Sequence, residues 1–215
     1  MFHVKHSFIV QPYTRSWFIE VAKQSEKYET SLNEYADKLI WWNKKVNLVS
    51  RDVSRETLMN HIRHSLLLSK LEGYKKANTI VDTGTGGGLP GIPLSIINPE
   101  KSFLLNDIVQ KKINTINQIK RDLKLSNVQT KACSIAEVPI SNFGLIISKH
   151  AFKINDLLSF VGDDWEEIIL LKGREFDDEL EGVSCPLSIQ VFDLFEESQN
   201  PFYNGKAILS IKKSR

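Results

Sequence analysis

Val81-Asp82-Thr83-Gly84-Thr85-Gly86-Gly87-Gly88-Leu89-Pro90-Gly91-Ile92-Pro93 is the stretch on which the fold turns. It opens inside Thr79-Ile80-Val81-Asp82, a short apolar run that reads as a buried strand, and a glycine cluster stops that strand. Gly84, Gly86 and Gly88 occupy alternate positions directly after it. Without Cβ atoms they let the backbone turn tightly and approach a ligand at van der Waals distance. In an open α/β sheet, ligands bind at the carboxyl edge of the strands, which is where this loop would lie.

Outward from the loop, short apolar runs alternate with helical patterns. Ser102 to Leu105, Leu145 to Ser148, Ile168 to Leu171 and Ala207 to Ile211 read as further strands. Between the second and third, Lys111 to Lys124 carries Ile113, Ile116, Ile119 and Leu123 at helical spacing. Strands alternating with helices predict a mostly parallel sheet with helices on both faces, an α/β fold. Residues 1 to about 72 read as helical instead. Leu32, Tyr35, Ala36, Leu39, Ile40 and Trp42 mark one helix, and Leu58, Ile62, Leu66 and Leu67 mark a second from Arg55 to Leu71. The irregular connector Asn43 to Arg51 between them carries three cations, Lys44, Lys45 and Arg51. The expected organisation is an N-terminal helical extension, residues 1–72, packed on a core of residues 73–215.

Composition bounds the function classes. The chain has 215 residues, with 41% apolar and 25% charged, ordinary globular values that exclude disorder and a disulfide scaffold. No apolar run approaches the ~20 residues needed to span a bilayer, and the N-terminus lacks signal-peptide features. Two separated cysteines, Cys133 and Cys185, fit a reducing compartment, so the expectation is a cytoplasmic protein. Net charge is only +2, but it is unevenly spread. Val109 to Lys131 and the tail Lys212-Lys213-Ser214-Arg215 are basic, whereas Asp163 to Glu167 and Asp177 to Glu181 are acidic. Such asymmetry permits a directed polyanion site.

Two cofactor classes compete for the glycine loop. A dinucleotide needs G-x-G-x-x-G opening a helix, and Gly86, Gly88 and Gly91 match it formally. That match begins late after the strand, and Pro90 and Pro93 interrupt the helix whose N-terminus should hold a pyrophosphate. The alternate-glycine loop preceded by an acid suits S-adenosylmethionine, which carries no phosphate. Either cofactor wants an acid near the end of the next strand for its ribose hydroxyls, and Asp107 supplies it. No G-x-x-x-x-G-K-[ST] is present, which excludes a P-loop nucleotidase.

The extended motif Asp82-x-Gly84-Thr85-Gly86-x-Gly88-Leu89-Pro90-Gly91-Ile92-Pro93-Leu94 resembles the signature of the bacterial RsmG (GidB) family of 16S ribosomal RNA methyltransferases. Trp42 to Leu48, His61-Ile62-x-x-Ser65-Leu66, Asp107 with Lys111-Lys112, and Leu123 to Val128 extend the resemblance. Ala136-Glu137, Ile147 to Lys149 and Leu171 to Gly173 complete it, over about residues 30 to 212. The resemblance implies a class I methyltransferase, a Rossmann-like, mostly parallel seven-stranded sheet. It also implies methyl transfer from S-adenosylmethionine to N7 of a guanine in 16S ribosomal RNA. Carried over by position, it implies cofactor contacts from Gly84, Leu89, Asp107, Ile135, Ala136 and Lys149, to which the loop adds Gly86 and Gly88. The chain departs from the family pattern at Asn60, His64, Ser134 and Lys149.

Guanine N7 offers an in-plane lone pair, so attack needs no deprotonation and catalysis reduces to alignment. No Ser/His/Asp, Cys/His or paired-carboxylate arrangement is evident, and no catalytic residue is assigned. His61 and His64, at i and i+3, lack a third ligand, so no metal is expected. Trp41 and Trp42 can stack a base, but an amphipathic helix assigns at least one of them to the core. Lys45, Asn47, Arg51, His61 and Lys111 are the candidate RNA contacts. The expected partner is 16S ribosomal RNA or the small ribosomal subunit, met by a monomer with no membrane attachment. The alternatives are a methyltransferase acting on another RNA or a small molecule, and a non-catalytic cofactor-sensing or ribosome-binding protein.

Overall fold

The computed structural model describes residues 6–11, 15–198 and 200–214; Arg215 of the basic tail lies outside them, as do residues 1–5. Among these residues one sheet contains eight strands: β1 (Ser7–Gln11), β2 (Thr79–Thr83), β3 (Ser102–Asp107), β4 (Val128–Ala132), β5 (Leu145–Lys149), β6 (Ile168–Gly173), β7 (Leu187–Asp193) and β8 (Lys206–Lys213). Their spatial order is β1-β7-β8-β6-β5-β2-β3-β4. Only β8 runs antiparallel, to β6 on one side and β7 on the other. The helices are α1 (Arg15–Lys27), α2 (Glu29–Asn43), α3 (Arg55–Leu66), α4 (Glu72–Lys76), α5 (Gly91–Ile97), α6 (Gln110–Asp122), α7 (Ile154–Val161) and the single turn α8 (Phe195–Ser198).

The mostly parallel α/β architecture agrees with the sequence reading, and two details correct it. The sheet has eight strands where seven were expected. The N-terminal region is not wholly helical, because Ser7–Gln11 forms an edge strand parallel to β7. Phe8-Ile9-Val10 is too short an apolar run to declare itself a strand, and its pairing partner lies at the far end of the chain. The second N-terminal helix also ends early, at Leu66, and continues as a 3-10 turn over Leu67–Lys70.

Alternation along the central strands builds two apolar layers, one on each face of the sheet. Ile80, Leu105, Ile147, Ile169, Leu171 and Ile208 join Leu32, Leu39, Leu58, Ile62 and Ile116 from the helices on one face. Their neighbours Val81, Ile146, Ile168, Leu170 and Leu209 face the other way, onto Ile154 and Leu157 of α7. Residues buried on both sides explain why these strands read as continuous apolar runs. No helix among the described residues is long and apolar enough to cross a membrane.

Chain direction then places a crevice. The chain lays down β2, steps to β3 and β4 on one side, and crosses back to β5 on the other side of β2. Loops leaving β2 and β5 diverge at this reversal, which opens the carboxyl edge for a ligand. The connector between α2 and α3 closes over that edge. Asn43, buried at the end of α2, shapes it: its Oδ1 accepts from the Leu48 and Val49 amides at 2.8 and 3.0 Å. Its Nδ2 donates to the Ser50 carbonyl at 3.0 Å.

Asn43→Ala strips three hydrogen bonds from this connector and leaves buried backbone groups unsatisfied, costing about 1–3 kcal/mol. At roughly 2–4 °C per kcal/mol for a chain of this size, thermal denaturation should show a clear drop in Tm. An unchanged Tm would show that the connector holds its shape without Asn43.

Candidate functional site

The glycine loop is held by one buried carboxylate. Asp82 Oδ2 accepts from Thr85 Oγ1 at 2.6 Å and from the Gly91 amide at 2.9 Å, so it ties the strand end to the start of α5. Gly84, Gly86 and Gly88 all take left-handed φ values, +66°, +56° and +96°. At Gly84 a Cβ would lie 2.3 Å from the Ala151 Cβ, so the missing side chain lets the segment leaving β5 cross the loop. From the other side, Tyr35 of α2 donates its hydroxyl to the Gly87 carbonyl at 2.9 Å. Burial, the largest influence, pushes the Asp82 carboxyl up to about 7, partly offset by its two donors. Its Oδ1 has no partner among the described residues.

Asp107 closes β3 and bonds back to the loop. Its Oδ2 accepts from the Gly86 amide at 3.1 Å and its Oδ1 from the Val109 amide at 2.9 Å. Lys112 Nζ stands 3.6 Å from the same carboxylate. A carboxylate has about four acceptor positions, so these donors leave capacity for ligand hydroxyls. The dinucleotide alternative fails here on local chemistry. Asp82 already takes the Gly91 amide at the start of α5, and Pro93 in its first turn has no amide to give. A pyrophosphate would meet a carboxylate where it needs donors.

These elements enclose a cavity of about 710 Å³. Of the residues singled out from sequence as cofactor contacts, Gly84, Gly86, Leu89, Asp107, Ile135 and Lys149 line it, while Gly88 and Ala136 do not. Gly88 turns toward the Ile92 side chain, where a Cβ would come within 2.5 Å, so its role is closing the turn. Ala136 sits in a 3-10 turn whose start is capped by Ser134 and Glu137. Sequence reasoning missed the apolar walls Val49, Val53, Ile108, Val109, Phe152 and Phe160. The available signal was Ile108-Val109, an apolar pair immediately after the acid yet 75% and 41% exposed.

The candidate RNA residues divide. His61 lines the cavity. Lys45, Asn47, Arg51 and Lys111 do not; they are exposed, the first three on the connector that supplies Leu48, Val49 and Ser50 to the cavity wall. Lys45 Nζ rests 3.5 Å from the Trp41 ring centroid, and Lys111 Nζ reaches the Lys45 carbonyl at 3.5 Å. One face of the half-exposed Trp41 is therefore covered by a cation, while Trp42 packs partly against the core. Burial, then the neighbouring Lys149 charge, lowers His61 and His150 to about 4, so both are neutral near pH 7. Burial followed by Lys206 brings Lys149 down to about 8, opposed by Asp82.

A raised carboxyl has a signature in stability. Asp82 in the folded chain holds a proton that the unfolded chain releases between about pH 4 and pH 7, so stability should fall as pH rises through that window. Asp82→Asn mimics the protonated form and should flatten this part of the curve, as read by urea denaturation across pH. An identical slope in the variant would show that other groups set it.

Comparison with known proteins agrees with this geometry. The family model described as rRNA small subunit methyltransferase G (GidB) matches residues 28–198. The ribosomal RNA small subunit methyltransferase G of Chlorobium chlorochromatii is 36% identical over 152 residues, 69% of this chain and 65% of that protein's length. Its counterpart in Christiangramia forsetii is 33% identical, over 86% of this chain and 89% of the relative. Among solved structures, the ribosomal protein L11 methylase of Lactobacillus delbrueckii subsp. bulgaricus shares the fold. The TM-score is 0.52 at 18% identity, over 71% of this chain and 80% of that one. The sheet is thus that of a class I methyltransferase, and the chain belongs to the rRNA small subunit methyltransferase G (GidB) family.

Proposed function

We propose that this chain transfers a methyl group from S-adenosylmethionine to N7 of a guanine in 16S ribosomal RNA. The observation that carries the reading is the cavity itself: a glycine cradle open to close backbone approach, with the Asp107 carboxylate at its far side and no phosphate-binding helix N-terminus. A nucleoside sulfonium without phosphates fits that donor and acceptor set. When bound, the cofactor supplies a methyl group already activated on sulfur.

The chain's own residues bind, orient and exclude water. Gly84 and Gly86 present backbone where a side chain would obstruct, and Asp107 accepts ribose hydroxyls. Ile135 and Leu89 pack against the ligand, while Ile108, Val109 and Phe160 shield it. Guanine N7 attacks with its own lone pair, so no residue has to remove a proton. His61 and His150, held neutral, agree with a site that works by alignment. Lys149 brings a cation to the carboxyl edge, where it orients the cofactor's carboxylate. Lys45, Asn47, Arg51 and Lys111 flank the mouth and meet the RNA, the cations through its phosphates.

Incubation of the protein with methyl-labelled cofactor and small ribosomal subunits, followed by nucleoside analysis, should yield 7-methylguanosine. Label in a different nucleoside, or in small acceptors alone, would replace this reading. Asp107→Ala should weaken S-adenosylhomocysteine binding by about 1–3 kcal/mol in calorimetry, the scale of a charge-assisted hydrogen bond. Tight binding of NAD by the wild type would instead restore the dinucleotide alternative. Lys149→Ala should slow single-turnover transfer about tenfold or more, equivalent to ~1.4 kcal/mol of lost alignment. Lys149→Arg should retain activity, because its planar fork also reaches a carboxylate. Equal rates for wild type and Lys149→Ala would make this lysine a bystander.

A further inference from the structure

Beyond the glycine loop, three nitrogen-bearing side chains meet at the cavity, and a fourth, Lys206, lies near enough to act on them. Lys149 ends β5 and His150 follows it, Lys206 opens β8, and His61 comes from α3. Lys149, His150 and His61 line the cavity wall. Phe202 links the group: its ring lies edge-on to His61 at 5.0 Å, and Lys206 Nζ sits 4.5 Å from its centroid. His150 holds a left-handed backbone, φ +52°, uncommon for a residue with a side chain and frequent at functional sites.

Negative charge is scarce around this group. The carboxylates that act on it are Asp82 and Glu179. The first is engaged by Thr85 and Gly91, the second by Lys172 and the Ile154 amide. Among the described residues the Lys149 ammonium has no hydrogen bond or ion pair. The buried Nδ1 of His61 and both ring nitrogens of the wholly buried His64 behind it lack partners as well. Burial shifts Lys149 and His150 toward the uncharged form, helped by Lys206 at the first and by Lys149, Lys172 and Lys206 at the second. A desolvated ammonium without counter-charge is unfavourable, and a neutral imidazole still offers an N–H donor, so an incoming anion is stabilised by the two lysines' charge and by the two histidines' hydrogen bonds.

A cofactor carboxylate at Lys149 would leave Lys206, bonded to the uncharged Phe202 carbonyl, without a counter-ion and Nδ1 of His61 without a partner, which points to a second anion. We propose that His150, Lys206 and His61, beside Lys149, form a phosphate subsite that holds a backbone phosphodiester of the acceptor strand next to the base presented to the cofactor. The proposal deepens the reading of the chain as an RNA methyltransferase and rests on it. A phosphate contact carries no sequence information but sets register and distance. Clamped here, it would fix how deeply one nucleotide enters the cavity. Free inorganic phosphate shares the chemistry and serves as a probe of the same site.

Lys206→Gln and His150→Asn test it, singly and together; asparagine tolerates the left-handed backbone at 150 while removing the imidazole. The double variant should bind S-adenosylhomocysteine with wild-type affinity in calorimetry. Its KM for small ribosomal subunits should rise about tenfold or more. The slope of log RNA affinity against log salt should shrink by about 0.7 for each phosphate that the variant no longer neutralises. Lys206→Arg should retain wild-type behaviour. Broadening of the inorganic phosphate signal in phosphorus NMR should occur with wild type and vanish with the double variant.

An unchanged KM and salt slope, or phosphate broadening that persists, would overturn the subsite. Loss of cofactor affinity in step with RNA affinity would assign the cluster to the cofactor's carboxylate instead. If wild type broadens the phosphate signal yet methylates no ribosomal RNA, the reading of function fails while the anion site stands.

Discussion

The buried Asp82 carboxylate emerges at the end of a strand covered on both faces and accepts from Thr85 and Gly91, at the two ends of the glycine loop. Every wall of the cavity then depends on where that loop lies. Asp107 bonds the Gly86 amide, Tyr35 bonds the Gly87 carbonyl, and the segment after β5 crosses at Gly84. A loop of alternate glycines is costly in chain entropy, and these four tethers from different elements offset it. The carboxyl's upward shift is the cost of placing an acid at the centre of a packed sheet.

The two sides of the cavity differ electrostatically. At the β3 side Asp107 is surrounded by backbone donors and Lys112. At the β5 side the Lys149 and Lys206 ammonium groups lack comparable counter-charge, beside the neutral His61 and His150. That polarity suits an acid reading sugar hydroxyls on one side and anions on the other. It also explains why no nucleophile or general base stands out in the sequence. The chemistry proposed for this site asks the protein only to hold two reactants in line, and rigid elements with fixed charges accomplish that.

The N-terminal helices are part of this machinery. Their apolar faces join the same buried layer as the sheet. α2 carries both Tyr35, which touches the loop, and Asn43, which folds the connector over the cavity. On the outer surface, Trp41, an aromatic able to stack a base, is already engaged by its own neighbour Lys45.

From sequence alone, the strand-and-glycine pattern, the acid ending the next strand and the helical periods determined the α/β class and the position of the cofactor loop. These features are local: hydrophobic period, missing Cβ atoms and short-range spacing act within a few residues. What tertiary structure decided was everything that depends on distant pairing. The edge strand β1 exists because residues near opposite ends of the chain meet. Gly88 and Ala136 stay out of the cavity while Val53 and Phe160 line it, because Gly88 packs on Ile92, and the wall is assembled from elements far apart in the chain. Asn43 has three backbone partners just beyond its own helix, visible only once the connector is folded. His61, Lys149, His150 and Lys206 come from α3, from the end of β5 and from the start of β8, and no spacing in the chain encodes their proximity. Long-range contacts form only when the two apolar layers close around the sheet, so side chains far apart in sequence become neighbours through packing.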